Sequence, residues 1–116
     1  MPKDFRMQRI SDQIRTTLAE ILLQDAEDKR FQEVTITRLT VSRDLGHAKV
    51  YVSFIQDQDI KEMTAALNRA AKYLRFKLAH EIKLRVTPEL RFYYDDSNVR
   101  GQRIMDLLNK ALKGKE

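Results

Sequence analysis

Near the start of the chain, apolar residues recur at steps of three and four. Ile10, Ile14, Leu18, Ile21 and Leu22 form one stripe while Arg6, Arg9, Gln13 and Glu20 take the other faces, which predicts an amphipathic helix over residues 5–24. Asp25-Ala26-Glu27-Asp28-Lys29-Arg30 reads as the polar connector that ends it. The period then drops to two. Val34–Arg43 is rich in Val, Ile and Thr, which suit a pleated surface, and Ala48, Val50, Val52 and Phe54 alternate with Lys49, Tyr51 and Ser53. Two strands are expected, joined by a turn at Asp44-Leu45-Gly46-His47 with Gly46 free to take positive φ. Val34 and Ile36 are out of phase with Leu39 and Val41, so the first strand either bulges near Thr37-Arg38 or is buried on both faces.

The helical period returns after the polar link Gln56–Asp59, where Asp57 or Asp59 is placed to cap. Met63, Ala66, Leu67, Ala70, Leu74, Leu78 and Ile82 trace a core stripe over residues 60–82. Ala70 and Ala71 lie side by side at its middle, but alanine is also the best helix former, so propensity alone favours a straight helix. Pro88 opens a third strand, in which Leu90, Phe92 and Tyr94 alternate with Glu89, Arg91 and Tyr93. Asp95-Asp96-Ser97-Asn98 offers caps for a last helix with the stripe Val99, Ile104, Leu107, Leu108, Ala111 and Leu112, stopped near Gly114. The order α-β-β-α-β-α is α+β, a three-stranded sheet with helices on one face and water on the other.

At 116 residues one domain is expected, 1–116, with about 113–116 frayed. The absence of cysteine excludes disulfides, thiolate metal sites and cysteine nucleophiles. No apolar run approaches the roughly 20 residues that span a membrane, and Met1-Pro2-Lys3-Asp4 lacks a secretory apolar core, so a cytoplasmic protein with no membrane partner is expected. Charge is the sharper clue. Arg69, Lys72, Arg75, Lys77, Lys83 and Arg85 against the single acid Glu81 carry the whole net charge of +5, and the other residues balance. A field polarised in this way steers a molecule toward a polyanion.

Catalytic constellations are weak. His47 and His80 have no second histidine at metal-ligand spacing, and His80-Glu81 is followed by Leu84 where a zinc-protease helix needs histidine. Asp95-Asp96 reads as a cap before a helix rather than a metal site, nothing singles out a carboxylate pair such as Glu89 and Asp95, and no Gly-rich phosphate loop exists. No metal, no cofactor and no enzyme activity are expected. On a helix, Arg69, Lys72 and Arg75 follow at steps of three, so several cations can share a face opposite Leu74 and Leu78 and meet phosphates. Tyr51, Tyr93, Lys49 and Arg91 form a second, lower-ranked surface on the open sheet face, where ordinary cross-strand pairing also explains the tyrosines.

Several strings sharpen the picture. Arg9-Ile10 with Ile14, Leu18, Ala19 and Ile21-Leu22, then Val34-Thr35-Ile36-Thr37-Arg38 with Val41-Ser42-Arg43-Asp44-Leu45, Ala48-Lys49-Val50-Tyr51-Val52-Ser53, and Arg85-Val86-Thr87-Pro88-Glu89-Leu90-Arg91-Phe92-Tyr93-Tyr94-Asp95, resemble the bacterial ribosome-binding factor A family over residues 5 to about 110. The resemblance implies a KH-like fold of the second type with a kinked helix pair, and no enzymatic activity. It also implies a late maturation factor of the 30S small subunit that binds precursor 16S rRNA and promotes its processing, notably in the cold. The family often has Ala-x-Gly at the kink, whereas this chain reads Ala70-Ala71-Lys72. There is no glycine between 47 and 100, so the Gly-x-x-Gly clamp of ordinary KH domains cannot be built, and recognition of folded RNA through shape and phosphates is the expectation.

The resulting expectation is a monomeric, noncatalytic RNA-binding assembly factor. Arg69, Lys72, Arg75, Lys77, Lys83 and Arg85 form the principal contact, Arg6, Arg9, Arg43 and Arg103 are secondary contacts, and Ala70-Ala71 is the kink. A displacing factor, a GTPase being one candidate, is expected to release it. The alternative is a protein–protein adaptor whose basic helix docks an acidic partner.

Overall fold

The computed structural model describes the backbone of residues 2–24, 28–54 and 59–114, and their side chains except at 2–4, 98–104 and 113–114. Helix α1 (Pro2–Gln24) starts three residues earlier than the hydrophobic pattern indicates. Pro2 is tolerated there because a first-turn N–H has no intrahelical partner to lose. The connector is more ordered than its polarity suggests: Lys29–Glu33 form a 3-10 turn that buries Phe31, capped by the Asp28 carboxylate on Arg30 N at 3.0 Å. The rest of that polar stretch, residues 25–27, and the candidate cap Asp57 lie outside the described residues.

Strands β1 (Thr35–Val41), β2 (His47–Ser53) and β3 (Glu89–Tyr94) form one mixed sheet in the order β1-β2-β3, with β2 antiparallel to β1 and parallel to β3. The register slips between Ile36 and Arg38, so Thr37 is the extra residue of a bulge. That resolves the phase change of β1, and Thr37 uses its freed position to donate its hydroxyl to Asp95 Oδ2 at 2.6 Å.

The β1–β2 turn differs from expectation. Leu45 (φ 63°), not Gly46, takes the left-handed conformation. Gly46 answers a different need, because a Cβ there would meet Asp44 Oδ1 at 3.1 Å. That carboxylate oxygen organises the turn by accepting from Gly46 N (2.9 Å) and the Ser42 hydroxyl (2.7 Å). Both donors, the hydroxyl foremost, hold the Asp44 carboxyl below the usual aspartate range.

Helices α2 (Ile60–Arg69) and α3 (Ala71–Glu81) replace the single helix that propensity favours. Asp59 caps α2 through Glu62 N at 3.1 Å. Ala70 interrupts the run with φ −86° and ψ −1°, well away from the helical ψ of about −42°. Leu74 N still bonds Ala70 O at 2.9 Å across the break, so the kink forms without glycine. Met63, Ala66 and Leu67 of α2 and Leu74 and Leu78 of α3 are buried together with Ile14, Leu18, Ile21 and Leu22 of α1 and Val50, Val52 and Phe92 of the sheet. Each of the larger side chains in this set contributes about 1.5–3 kcal/mol, and burial of Leu74 and Leu78 fixes α3 with one face down. The arrangement is a KH-like fold of the second type, with helices over one sheet face.

The last helix, α4 (Ser97–Gly114), forms where its pattern places it and runs past Leu112. The described part of its stripe is not core, however. Leu107, Leu108, Ala111 and Leu112 are exposed, and among the described residues α4 has no substantial packing partner. Amphipathic periodicity reports a helix but not whether a surface exists to receive it. The side chains of Val99 and Ile104 lie outside the described residues.

Candidate nucleic-acid interface

With Leu74 and Leu78 inward, the positions of the six expected cations follow from helix geometry and their observed partners. Residues two apart on a helix diverge by about 200°, so Arg75 and Lys77 leave α3 on opposite shoulders of the buried stripe. Arg75 is half-buried and donates from Nε to Thr87 O at 3.0 Å, tying α3 to the segment that leads into β3. Lys77 is half-buried with Nζ 5.8 Å from the Tyr73 ring centroid, a cation–π distance. Arg69 lies before the break and is paired, Nη2 to Glu62 Oε1 at 2.8 Å.

Lys72, Lys83 and Arg85 are exposed and have no ion-pair partner among the described residues. The set therefore divides: three free cations, one on a shoulder, one neutralised, and one acting as a strap. Of the secondary candidates, Arg6 and Arg9 are exposed on α1 and Arg43 is exposed in the β1–β2 turn. The Arg103 side chain lies outside the described residues.

Two residues that the charge count passed over complete the face. Phe76 is 59% exposed and Tyr73 40%, and Phe76 packs against His80 with centroids 4.4 Å apart. Both aromatics sit out of phase with the Leu74/Leu78 stripe, and that was the signal available in the sequence. The outer face of α3 thus presents Lys72, Tyr73, Phe76 and His80, flanked by Lys77. Cations beside exposed rings are suited to phosphates and bases. At the break, an open cleft of about 400 Å³ has an apolar floor of Phe31, Ala66, Ala70 and Leu74. The cations on its rim, Arg30 and Arg69, are held by Asp28 and Glu62. Arg30, and to a small degree Arg69, keep the Asp28 carboxyl below its ordinary range.

The carboxylates weighed for catalysis have structural duties. Asp95 accepts Ser97 N on Oδ1 (3.0 Å) and the Thr37 hydroxyl on Oδ2, so it starts α4 and pins the β1 bulge. Glu89 is at the other end of β3, about 20 Å away along the strand, beside His47 at 3.6 Å. They cannot act as a pair. Among the described residues no group of three potential ligands is placed to hold a metal.

The Ser97 side chain first, then the Thr37 hydroxyl and Ser97 N–H, lower the Asp95 pKa to about 2. A depressed carboxylate contributes stability above its unfolded pKa of about 4, and that stability is lost as pH falls through the folded value. Asp95→Asn should therefore melt below the wild-type chain at neutral pH, with the gap closing between about pH 4 and pH 2. Thermal melts of the two proteins across that range check this, and a gap that persists at the acid end would refute it.

The comparisons with known proteins agree with one another. The family model described as ribosome-binding factor A matches residues 6–108. Ribosome-binding factor A of Shewanella amazonensis is 46% identical over 119 aligned positions, covering 100% of this chain and 87% of the relative. The crystal structure of ribosome-binding factor A from Thermus thermophilus superposes with a TM-score of 0.68 at 28% identity, covering 76% of this chain and 94% of that one. A homology model of the Thermus thermophilus factor, fitted into a cryo-electron-microscopy map of its complex with the 30S subunit, gives a TM-score of 0.62 at 29% identity over 74% of this chain and 91% of that one. The matched region takes in residues 69–85, which carry the net charge, and stops within α4. This chain belongs to the ribosome-binding factor A family.

Proposed function

We propose that the protein is a noncatalytic assembly factor that binds the immature 30S subunit through precursor 16S rRNA and promotes its late maturation and processing, including in the cold. One observation carries the reading: the outer face of α3 presents Lys72 with exposed Tyr73 and Phe76, and the segment after it presents exposed Lys83 and Arg85, the three cations having no carboxylate partner among the described residues, in a member of a family of which one relative has been fitted into a 30S complex. Phosphate contacts of this kind give affinity and orientation rather than sequence reading.

The protein acts in the cytoplasm as a monomer and one RNA-binding domain. Its mechanism is a population shift. Binding one transient rRNA arrangement better than its competitors raises the share of subunits in that arrangement, and no bond need be made or broken. The same logic requires a release step, and a displacing factor such as a GTPase supplies it.

Sedimentation of cell extract tests the proposal. The protein should co-migrate with free small subunits, be absent from polysomes, and leave the subunit fraction after nuclease treatment. Retention on an acidic protein partner after nuclease would instead establish the adaptor reading.

A further inference from the structure

The sheet face without helices is organised in rows across the three strands. Arg38, Tyr51 and Tyr93 are register partners, and so are Thr40, Lys49 and Arg91 in the next row. The rows are about 7 Å apart, with strands about 4.8 Å apart. In the first row the rings of Tyr51 and Tyr93 stack at 5.6 Å with 28° between planes, and the Arg38 guanidinium lies 4.2 Å from the Tyr51 centroid. In the second row Lys49 and Arg91, both exposed, stand directly opposite each other with no carboxylate paired to either among the described residues.

We propose that this face is a second RNA surface, one that takes unpaired nucleotides. The inference rests on the assembly-factor reading and extends it to a different side of the molecule. Cross-strand pairing explains the stacked tyrosines but not the second row. Like charges directly opposite on a sheet destabilise it, and folding gains nothing from them. An anionic ligand that sits between them removes that repulsion. A ring platform beside two free cations matches a single strand, whose bases stack while its phosphates meet the cations, and does not match a duplex, whose bases are already stacked. Helices α1, α2 and α3 cover the other face, so a protein with both surfaces occupied holds two RNA segments on opposite sides of the sheet and its helix layer. That geometry stabilises an rRNA arrangement by bridging it.

The test uses the full chain with a fluorescent oligouridine of about twelve nucleotides and an RNA duplex of about twelve pairs. The wild-type chain should bind the oligouridine. Replacing both cations (K49Q with R91Q) should weaken that binding roughly tenfold near 0.1 M salt and flatten the slope of log K against log salt by about 1.4. Tyr93→Leu should weaken it about fivefold or more and leave duplex binding unchanged. The K49Q/R91Q protein should melt no lower than wild type, because a repulsive pair has been removed, so a binding loss cannot be assigned to unfolding. Oligouridine affinity that is unchanged in both variants, or absent in the wild-type chain, overturns the second surface alone. Failure of the wild-type chain to associate with small subunits overturns the assembly reading, whatever the oligouridine shows.

Discussion

Reversing three charges, K72E with K83E and R85E, should cut association with immature small subunits by at least about a hundredfold while the protein stays folded. Each of these side chains is exposed and has no ion-pair partner among the described residues. At about 1 kcal/mol or more for each charge-assisted contact, the loss is already about 3 kcal/mol before repulsion is counted. Surface changes of this kind shift stability by only about 0.5 kcal/mol each. Equilibrium binding and a thermal melt on the same samples check the two halves. Arg75 must be left alone in such a variant. Charge counting alone makes it an attractive site for reversal, yet its bond to Thr87 O means that Arg75→Glu loosens the strap between α3 and β3, and any binding loss would then have two causes.

Asn68→Ala should lower stability by about 1–3 kcal/mol, a fall of roughly 4–12 °C in Tm, without changing RNA affinity at temperatures where the variant is folded. Strand β3 is an edge strand, so alternate backbone groups lack a ladder partner. At Phe92, buried in the core, the Asn68 amide closes that gap. Its Oδ1 accepts Phe92 N at 2.8 Å and its Nδ2 donates to Phe92 O at 3.1 Å. Alanine leaves both backbone groups unpaired. Asn68→Asp keeps the acceptor but sets a carboxylate against the Phe92 carbonyl, so it should be destabilising as well. A melt within about a degree of wild type for either variant would show that the clamp contributes little.

Much of the fold was legible because burial imposes a period. The α1 stripe, the alternation in β2 and β3 and the phase slip at Thr37 each map to an observed feature. What escaped was set by single contacts across distant parts of the chain. Asn68 is a modest helix former with no sequence sign that it faces a strand backbone, and at the β1–β2 turn the Asp44 carboxylate fills the space beside Gly46 while Leu45 takes the positive φ. The described part of the α4 stripe shows the converse, with Leu107, Leu108, Ala111 and Leu112 exposed despite their helical spacing. In the candidate site, the segment 69–85 was visible as charge. Which cations are free was not, because Arg69 reaches Glu62 two turns back along α2 and Arg75 is tied to Thr87 across the turn after α3.

Salt dependence of binding to purified immature small subunits is the most direct test that the free cations of α3 and the segment after it meet rRNA phosphates. Neutralising the three free cations (K72Q with K83Q and R85Q) should make the slope of log K against log salt shallower by about 2 to 3 relative to the wild-type chain. Identical slopes for the two proteins would place the phosphate contacts elsewhere and contradict the assignment.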